Sequence, residues 1–164
     1  VGQVVQNWEK SSDELGQTVR RVIFRIGLVL GSDAKIIRQL LPLFRLGLGG
    51  KIGSGNQPFP FIHVEDVVGA ILWAIGHAEV QGIYNLVAPQ QITNNDFTKT
   101  LAGLLNRPAI FSVPPFALKS AFGNAASLIL TNPSIYPERL IASNFEYRFP
   151  DIYSCLQTCI KKPH

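Results

Sequence analysis

Apolar residues recur along this chain at two spacings, and the change from one to the other predicts its elements. Val22, Ile23, Phe24 and Ile26 form a nearly continuous apolar run. Such a run suits a strand covered on both faces, as in a parallel α/β sheet. Gly27 and Gly31 bracket its exit. Between Asp33 and Leu46, Ile36, Ile37, Leu40, Leu41 and Phe44 recur at helical spacing. Pro42 predicts a kink or restart there, because it removes an internal hydrogen bond. A short strand is expected around 59 to 64, then a helix with Val67, Val68, Ile71, Leu72 and Ile75 on its buried side. Glu65 or Asp66 would cap that helix and complement its dipole.

Residues 82 to 88 read as the next strand. A helix capped by Thr93 or Asn94 follows, burying Phe97, Leu101, Leu104 and Leu105. "AIFSVPP" gives a last strand ending at Pro114 and Pro115. A helix over 4 to 15, with Val4, Val5 and Trp8 on one face, precedes all of these. Helical pieces over 116–122, 125–130, 137–142 and 152–160 follow them. The alternation argues for α/β with parallel pairing, although a doubly wound nucleotide domain needs more strands than are visible.

Composition narrows the class. The 164 residues are 46% hydrophobic and 16% charged, poor in charge for a globular chain, so much of the surface is expected to be covered by something. The net charge of +4 is dispersed; Arg20-Arg21 and Lys161-Lys162 are the densest groupings. That falls short of the run of about five or six basic residues that would suggest nucleic acid. No stretch of about eighteen apolar residues predicts a membrane span. The opening residues lack a basic-then-apolar export signal, so a cytoplasmic location is expected. Cys155 and Cys159 lie one helical turn apart without histidines nearby, and read as reduced, apolar residues rather than a zinc site. No metal site is expected. The chain contains no Met and starts within a helical pattern, as a piece of a longer or processed protein would.

Five glycines lie in the nine residues from Gly47 to Gly55. Gly49, Gly53 and Gly55 reproduce a G-x-x-x-G-x-G spacing, but a dinucleotide fingerprint needs a strand before it and a helix after it. Here a helix precedes, and Pro58 and Pro60 forbid a helix that close behind. The Walker spacing fails too, with Arg45 at its first glycine. A flexible connector and a ligand-facing loop both remain open for this stretch.

"GSGNQPFPFIHVEDVVGAILWAI" and "GIYNLVAPQQITNNDFTKTLAGLL" resemble the second half of extended short-chain dehydrogenases/reductases, the NAD-dependent epimerase/dehydratase proteins. "FRIGLVLG", "PLFRLGLGGKIGSGNQ", "NRPAIFSVPPFALK" and "IYPERLIASNFEYRFPDI" resemble its sugar-nucleotide-epimerase-like branch, which carries a C-terminal domain of unknown function. The resemblance implies the last elements of a Rossmann-like parallel sheet plus a small, mostly helical substrate part. Residues 1–112 would belong to the Rossmann/substrate domain and 113–164 to the domain of unknown function. It implies NAD or NADP in the full-length family, held by an N-terminal G-x-x-G-x-x-G loop that this chain lacks. The chain alone is therefore expected to bind no cofactor and to be inactive. Its partners would be a small-molecule substrate and the missing N-terminal half or a second copy. The Gly49 to Gly55 loop then resembles the family's substrate-side loop.

Departures from the family make the expected pocket more apolar. Phe59-Pro60 stands where an Arg-Asp pair grips a sugar-nucleotide diphosphate, and Leu28 replaces an asparagine in Arg-x-x-Asn-x-x-Gly. Asn144 replaces a glycine and suits the same left-handed turn. Glu9, as an anchor for the family's Tyr-x-x-x-Lys helix, puts Val1 and Val5 in the two catalytic slots. The substrate-binding candidates are Arg25, Arg45, Gln57, Phe59 and His63. Arg25 would reach a ligand from a strand end, or form an ion pair. Arg45 would offer charge to an anion, or end a helix in solvent. His63 is the one candidate acid/base, and a structural histidine is the competing reading.

Overall fold

Three short parallel ladders organise the chain: 22–26 with 82–86, 28–30 with 61–63, and 50–52 with 111–113. The computed structural model describes residues 19–113 and 134–160. The helices expected over 4–15, 116–122 and 125–130, and the strand end at Pro114 and Pro115, lie outside them. In chain order the elements are β1 (Val22–Ile26), β2 (Leu28–Leu30), α1 (Lys35–Arg45), β3 (Gly50–Ile52), β4 (Phe61–His63), α2 (Val64–Gly76), β5 (Gly82–Leu86), α3 (Asn94–Leu104), β6 (Phe111–Val113), α4 (Glu138–Ala142) and α5 (Ile152–Ile160). This is the expected α/β class with parallel pairing.

Two cores meet at β4, because successive strand residues face opposite sides. Phe61 joins Leu30, Ile37, Phe44, Phe97, Leu101 and Leu156 in a core shared by α1, α3 and α5. Ile62 joins Ala70, Ala74, Tyr84, Leu86 and Leu140 in a second core between the β1–β5 pair, α2 and α4.

Several expectations are corrected. β1 is not covered on both faces: Ile23 is half-buried, Arg25 is exposed and Ile26 is 49% exposed. Among the described residues only β5 flanks it. α1 does not restart at Pro42; it runs through that residue to Arg45 with Ile37 and Phe44 buried. Of the bulky residues expected on the buried side of α2, Val67 packs against the second core and the other four do not. Asp66, Ala70 and Ala74 are buried, while Val68, Ile71, Leu72 and Ile75 are exposed. The helix leaves β4 with no intervening loop, which holds it close to the strands. Small side chains permit that approach, since the spacing of packed elements follows the residues between them.

Among the described residues the outer edge of β5 is covered by side chains rather than by a strand. Arg139 donates to the carbonyls of Ile83 (2.7 Å) and Gln81 (2.9 Å) and lies 4.2 Å over the Tyr84 ring. Tyr147 donates to the Val87 carbonyl at 2.9 Å. Occupied carbonyls leave fewer sites for another strand to add. Asn144 takes the left-handed turn expected of it, at φ 53°.

Candidate functional site

Where β1 ends, its continuation and the β5 chain part, and β4 fills the gap. Gly27 N–H still donates to Leu86 O at 3.1 Å, then Leu28 N–H turns to Pro60 O at 2.8 Å. On the far side of β4, Ala88 N–H donates to Phe61 O at 2.7 Å. The wedge requires glycine at position 27. A Cβ there would sit 2.6 Å from Pro60 O and 2.7 Å from a Val87 methyl. Open α/β sheets bind ligands at the carboxyl ends of strands where neighbours diverge, so this crevice is the candidate site.

The expected site residues reach it unevenly. Arg25 lies at the end of β1, exposed and opposite Asn85, whose side-chain amide donates to Tyr136 O at 3.2 Å. Arg45 ends α1 in solvent, just before the turn at Gly47 (φ 74°). Gln57 is half-buried and spends its side-chain N–H on Ile52 O at 3.0 Å. Phe59 is buried and stacks on Phe97 with ring centroids 4.4 Å apart, so its ring faces the core rather than a ligand.

His63 is buried at 3% exposure with both ring nitrogens engaged. Nδ1 accepts the Glu65 N–H at 3.2 Å, which makes His63 the N-cap of α2. The expected capping by Glu65 or Asp66 is corrected accordingly, because the helix begins at Val64 and places both acids inside its first turn. The bond network puts the proton on Nε2, 3.0 Å from Thr158 Oγ1, whose hydroxyl donates to Cys155 O at 2.7 Å. Burial pushes the imidazole pKa below its ordinary value, against the opposing pull of Glu65 and Asp66. The ring also lies 4.0 Å from that of Phe149.

The glycine stretch is built rather than slack. Its middle third is β3, paired with β6, and Gly50 is required because a Cβ would meet Phe111 O at 2.0 Å. Asn94, buried at 2% exposure, pins the loop: its Oδ1 accepts Ile52 N–H at 2.8 Å and its N–H donates to Gln57 O at 3.0 Å. Its position beside the cap was the available signal. Thr93 is the cap, with Asp96 completing a capping box, and that leaves the Asn94 side chain for the loop.

Other chemistry is sparse among the described residues. No group of three His, Cys, Asp or Glu is placed to hold a metal. Cys155 and Cys159 are free and buried; the hydrogen bond between them and burial together push the Cys155 thiol up, keeping it protonated. No helix is long and apolar enough to cross a membrane. A cleft of about 420 Å³ lies along α2, lined by Glu65, Asp66, Val68, Leu72, Phe145 and Arg148 among others and by none of the five substrate candidates. The turn Gly31 to Ala34, between β2 and α1, is a strand-to-helix turn with one glycine. A dinucleotide loop needs three, so these residues do not fit a nicotinamide cofactor's pyrophosphate.

A family model described as the NAD dependent epimerase/dehydratase family matches residues 3–86. One described as a domain of unknown function (DUF1731) matches residues 113–159. The epimerase family protein SDR39U1 of Mus musculus is 38% identical over 158 residues, covering 96% of this chain and 54% of the relative. A crystal structure of the human epimerase family protein SDR39U1 (isoform 2) with NADPH superposes with a TM-score of 0.88 at 35% identity, over 96% of this chain and 54% of that one. The nucleoside-diphosphate sugar epimerase of Corynebacterium glutamicum superposes with a TM-score of 0.65 at 25% identity, over 85% of this chain and 26% of that one. The chain thus spans about half the length of the curated relatives it matches.

Proposed function

The chain belongs to the NAD dependent epimerase/dehydratase family, and from that premise we propose that it is the substrate-side part of an NAD(P)-dependent epimerase/dehydratase-like oxidoreductase. The observation that carries this reading is the crevice at the carboxyl ends of β1 and β5, with β4 wedged into it. In this reading the cofactor loop is supplied by an N-terminal half of the fold, and residues 1–112 and 113–164 keep separate roles. Two buried free thiols suit a reducing compartment, either the cytoplasm or an organelle.

The substrate belongs to the family's broad class of sugar-nucleotide-related molecules, in a form that asks for fewer charged contacts. Phe59 is turned into the core and Leu28 lies in β2, so neither offers the polar group the family places there. Losing a charged hydrogen bond costs about 1.5–3 kcal/mol, tenfold or more in affinity. The test joins this chain to an N-terminal half and follows binding by calorimetry. NADPH binding is expected only in the joined protein, with UDP-glucose and UDP-galactose binding weakly. Micromolar NADPH binding to the 164-residue chain by itself, or tight UDP-sugar binding to the joined protein, would overturn the reading.

A second reading, a descendant without catalysis that binds a ligand or a protein partner, is favoured by His63. Both of its nitrogens are occupied, so no proton is within easy reach of a substrate. Val1 and Val5 lie outside the described residues. Turnover by the joined protein with both valines in place, surviving His63→Ala, would exclude this second reading and show that the acid lies elsewhere.

A further inference from the structure

We propose that His63, Glu65 and Asp66 form a latch that docks the segment 148–158 onto β4 and thereby fixes the crevice, making the C-terminal unit of unknown function a clamp on the substrate end of the sheet. The proposal rests on the reading of the crevice as the substrate site. β4 has three residues, and so short a strand has little hold of its own. The polar residues that follow from it are all spent on one part of the chain. The buried Asp66 carboxylate accepts two consecutive backbone N–H groups, Arg148 at 2.7 Å and Phe149 at 3.1 Å. Glu65 pairs with the Arg148 guanidinium. His63 reaches Thr158 through Nε2 and lies against Phe149.

The same segment, with Tyr147 just before it, also holds the opposite wall of the crevice. Tyr147 donates to Val87 O, Ile152 N–H donates to the Gln90 side chain at 2.7 Å, and Gln90 N–H donates to Pro150 O at 3.4 Å. One stretch of chain therefore bridges β4 and the strand exit that β4 separates. These are positioning residues: they set where the walls stand without touching a reacting atom.

The latch carries its own pH signature. A protonated His63 has no lone pair on Nδ1 and would set an N–H against the Glu65 N–H. The charged groups acting on it are Glu65 and Asp66 of α2 and Arg148 of the docked segment. Burial outweighs the two carboxylates and lowers the folded pKa below 6.5, so the unfolded chain takes up the proton first. The His63 contribution is then fully present above the unfolded value and fades as the pH falls through the interval beneath it.

Hydrogen exchange on the 164-residue chain tests the latch without cofactor or substrate, so its outcome is independent of whether the protein is an enzyme. Asp66→Asn is expected to speed exchange by about tenfold or more at 61–63, 87–90 and 148–158, the effect of weakening a hydrogen bond to a charged group, while α3 stays protected. In the wild type the same segments should loosen as the pH falls below about 6.5, after correction for intrinsic rates, and His63→Gln should abolish that response. Should Asp66→Asn fail to fold, Thr158→Val removes the contact with His63, together with the bond to the Cys155 carbonyl, at similar volume and carries the same comparison. Acceleration spread evenly over α1 and α3, or a local pH response that persists in His63→Gln, would overturn the proposal.

Discussion

A methyl group on Gly27 would have to share space with the Pro60 carbonyl, and nothing in the local sequence shows that carbonyl. The glycine itself is visible as the end of an apolar run; its reason is a strand thirty-odd residues on, and so it needs the fold. Gly27→Ala is expected to lower stability by about 1–3 kcal/mol, the usual cost of overpacking. The check is a lower urea midpoint with an unchanged slope. Asn94 and Thr93 offer a sharper comparison, because the sequence could not tell which of the two caps α3. Thr93→Ala removes a cap exposed to solvent and should cost about 1 kcal/mol. Asn94→Ala leaves the Ile52 N–H unpaired in the interior and should cost about 1–3 kcal/mol. If Thr93→Ala is the more damaging of the two, the Asn94 pin contributes less than its burial implies. Phe59 was legible as a departure from its family, but its stacking on Phe97 was not, because aromatic contacts between distant segments leave no local pattern.

At the level of elements, α2 shows why periodicity alone misassigns a face. Between Val64 and Gly76 nearly every residue is apolar, so large and small side chains, not apolar and polar ones, distinguish its two sides. The sequence reading ranked the bulky residues as core; the fold buries Ala70 and Ala74 and leaves Leu72 63% and Ile75 69% exposed. Two substitutions separate the assignments. Ala74→Leu should cost about 1–3 kcal/mol by overpacking the contact with the strands. Ile75→Lys should change the stability of the isolated chain by less than about 0.5 kcal/mol, as surface changes usually do. The reverse order in thermal melts would restore the expected face. α1 and α3 were read correctly because each has one apolar stripe and one polar face, whereas β3 was missed for the opposite reason. Three residues pairing with 111–113, some sixty positions away, give no periodic signal of their own.

At the scale of the whole molecule, two features stand uncovered among the described residues that ordinarily would not remain so. β1 has no neighbour on its outer edge among the described residues, and the exposed stripe of α2 runs from Val64 through Val68, Ile71, Leu72 and Ile75. On β5 the corresponding edge is closed by Arg139 and Tyr147, so among the described residues the open side of the sheet is the β1 side. An unpaired edge beside apolar surface invites association. The chain spans about half the length of its curated relatives, and a larger protein could supply the cover, as could a second copy. The 164-residue chain is therefore expected to sediment as a dimer or larger species and to enhance the fluorescence of a dye that binds apolar surface. Leu72→Glu combined with Ile75→Lys should reduce dye binding, since both residues are already in solvent and their replacement removes apolar area without opening the core. Persistence of the larger species in that variant would assign the association to the β1 edge, where adding a strand needs backbone groups alone. A monomer at high concentration with no dye binding would show instead that these surfaces are already covered within the chain, and that the crevice stands without an outside partner.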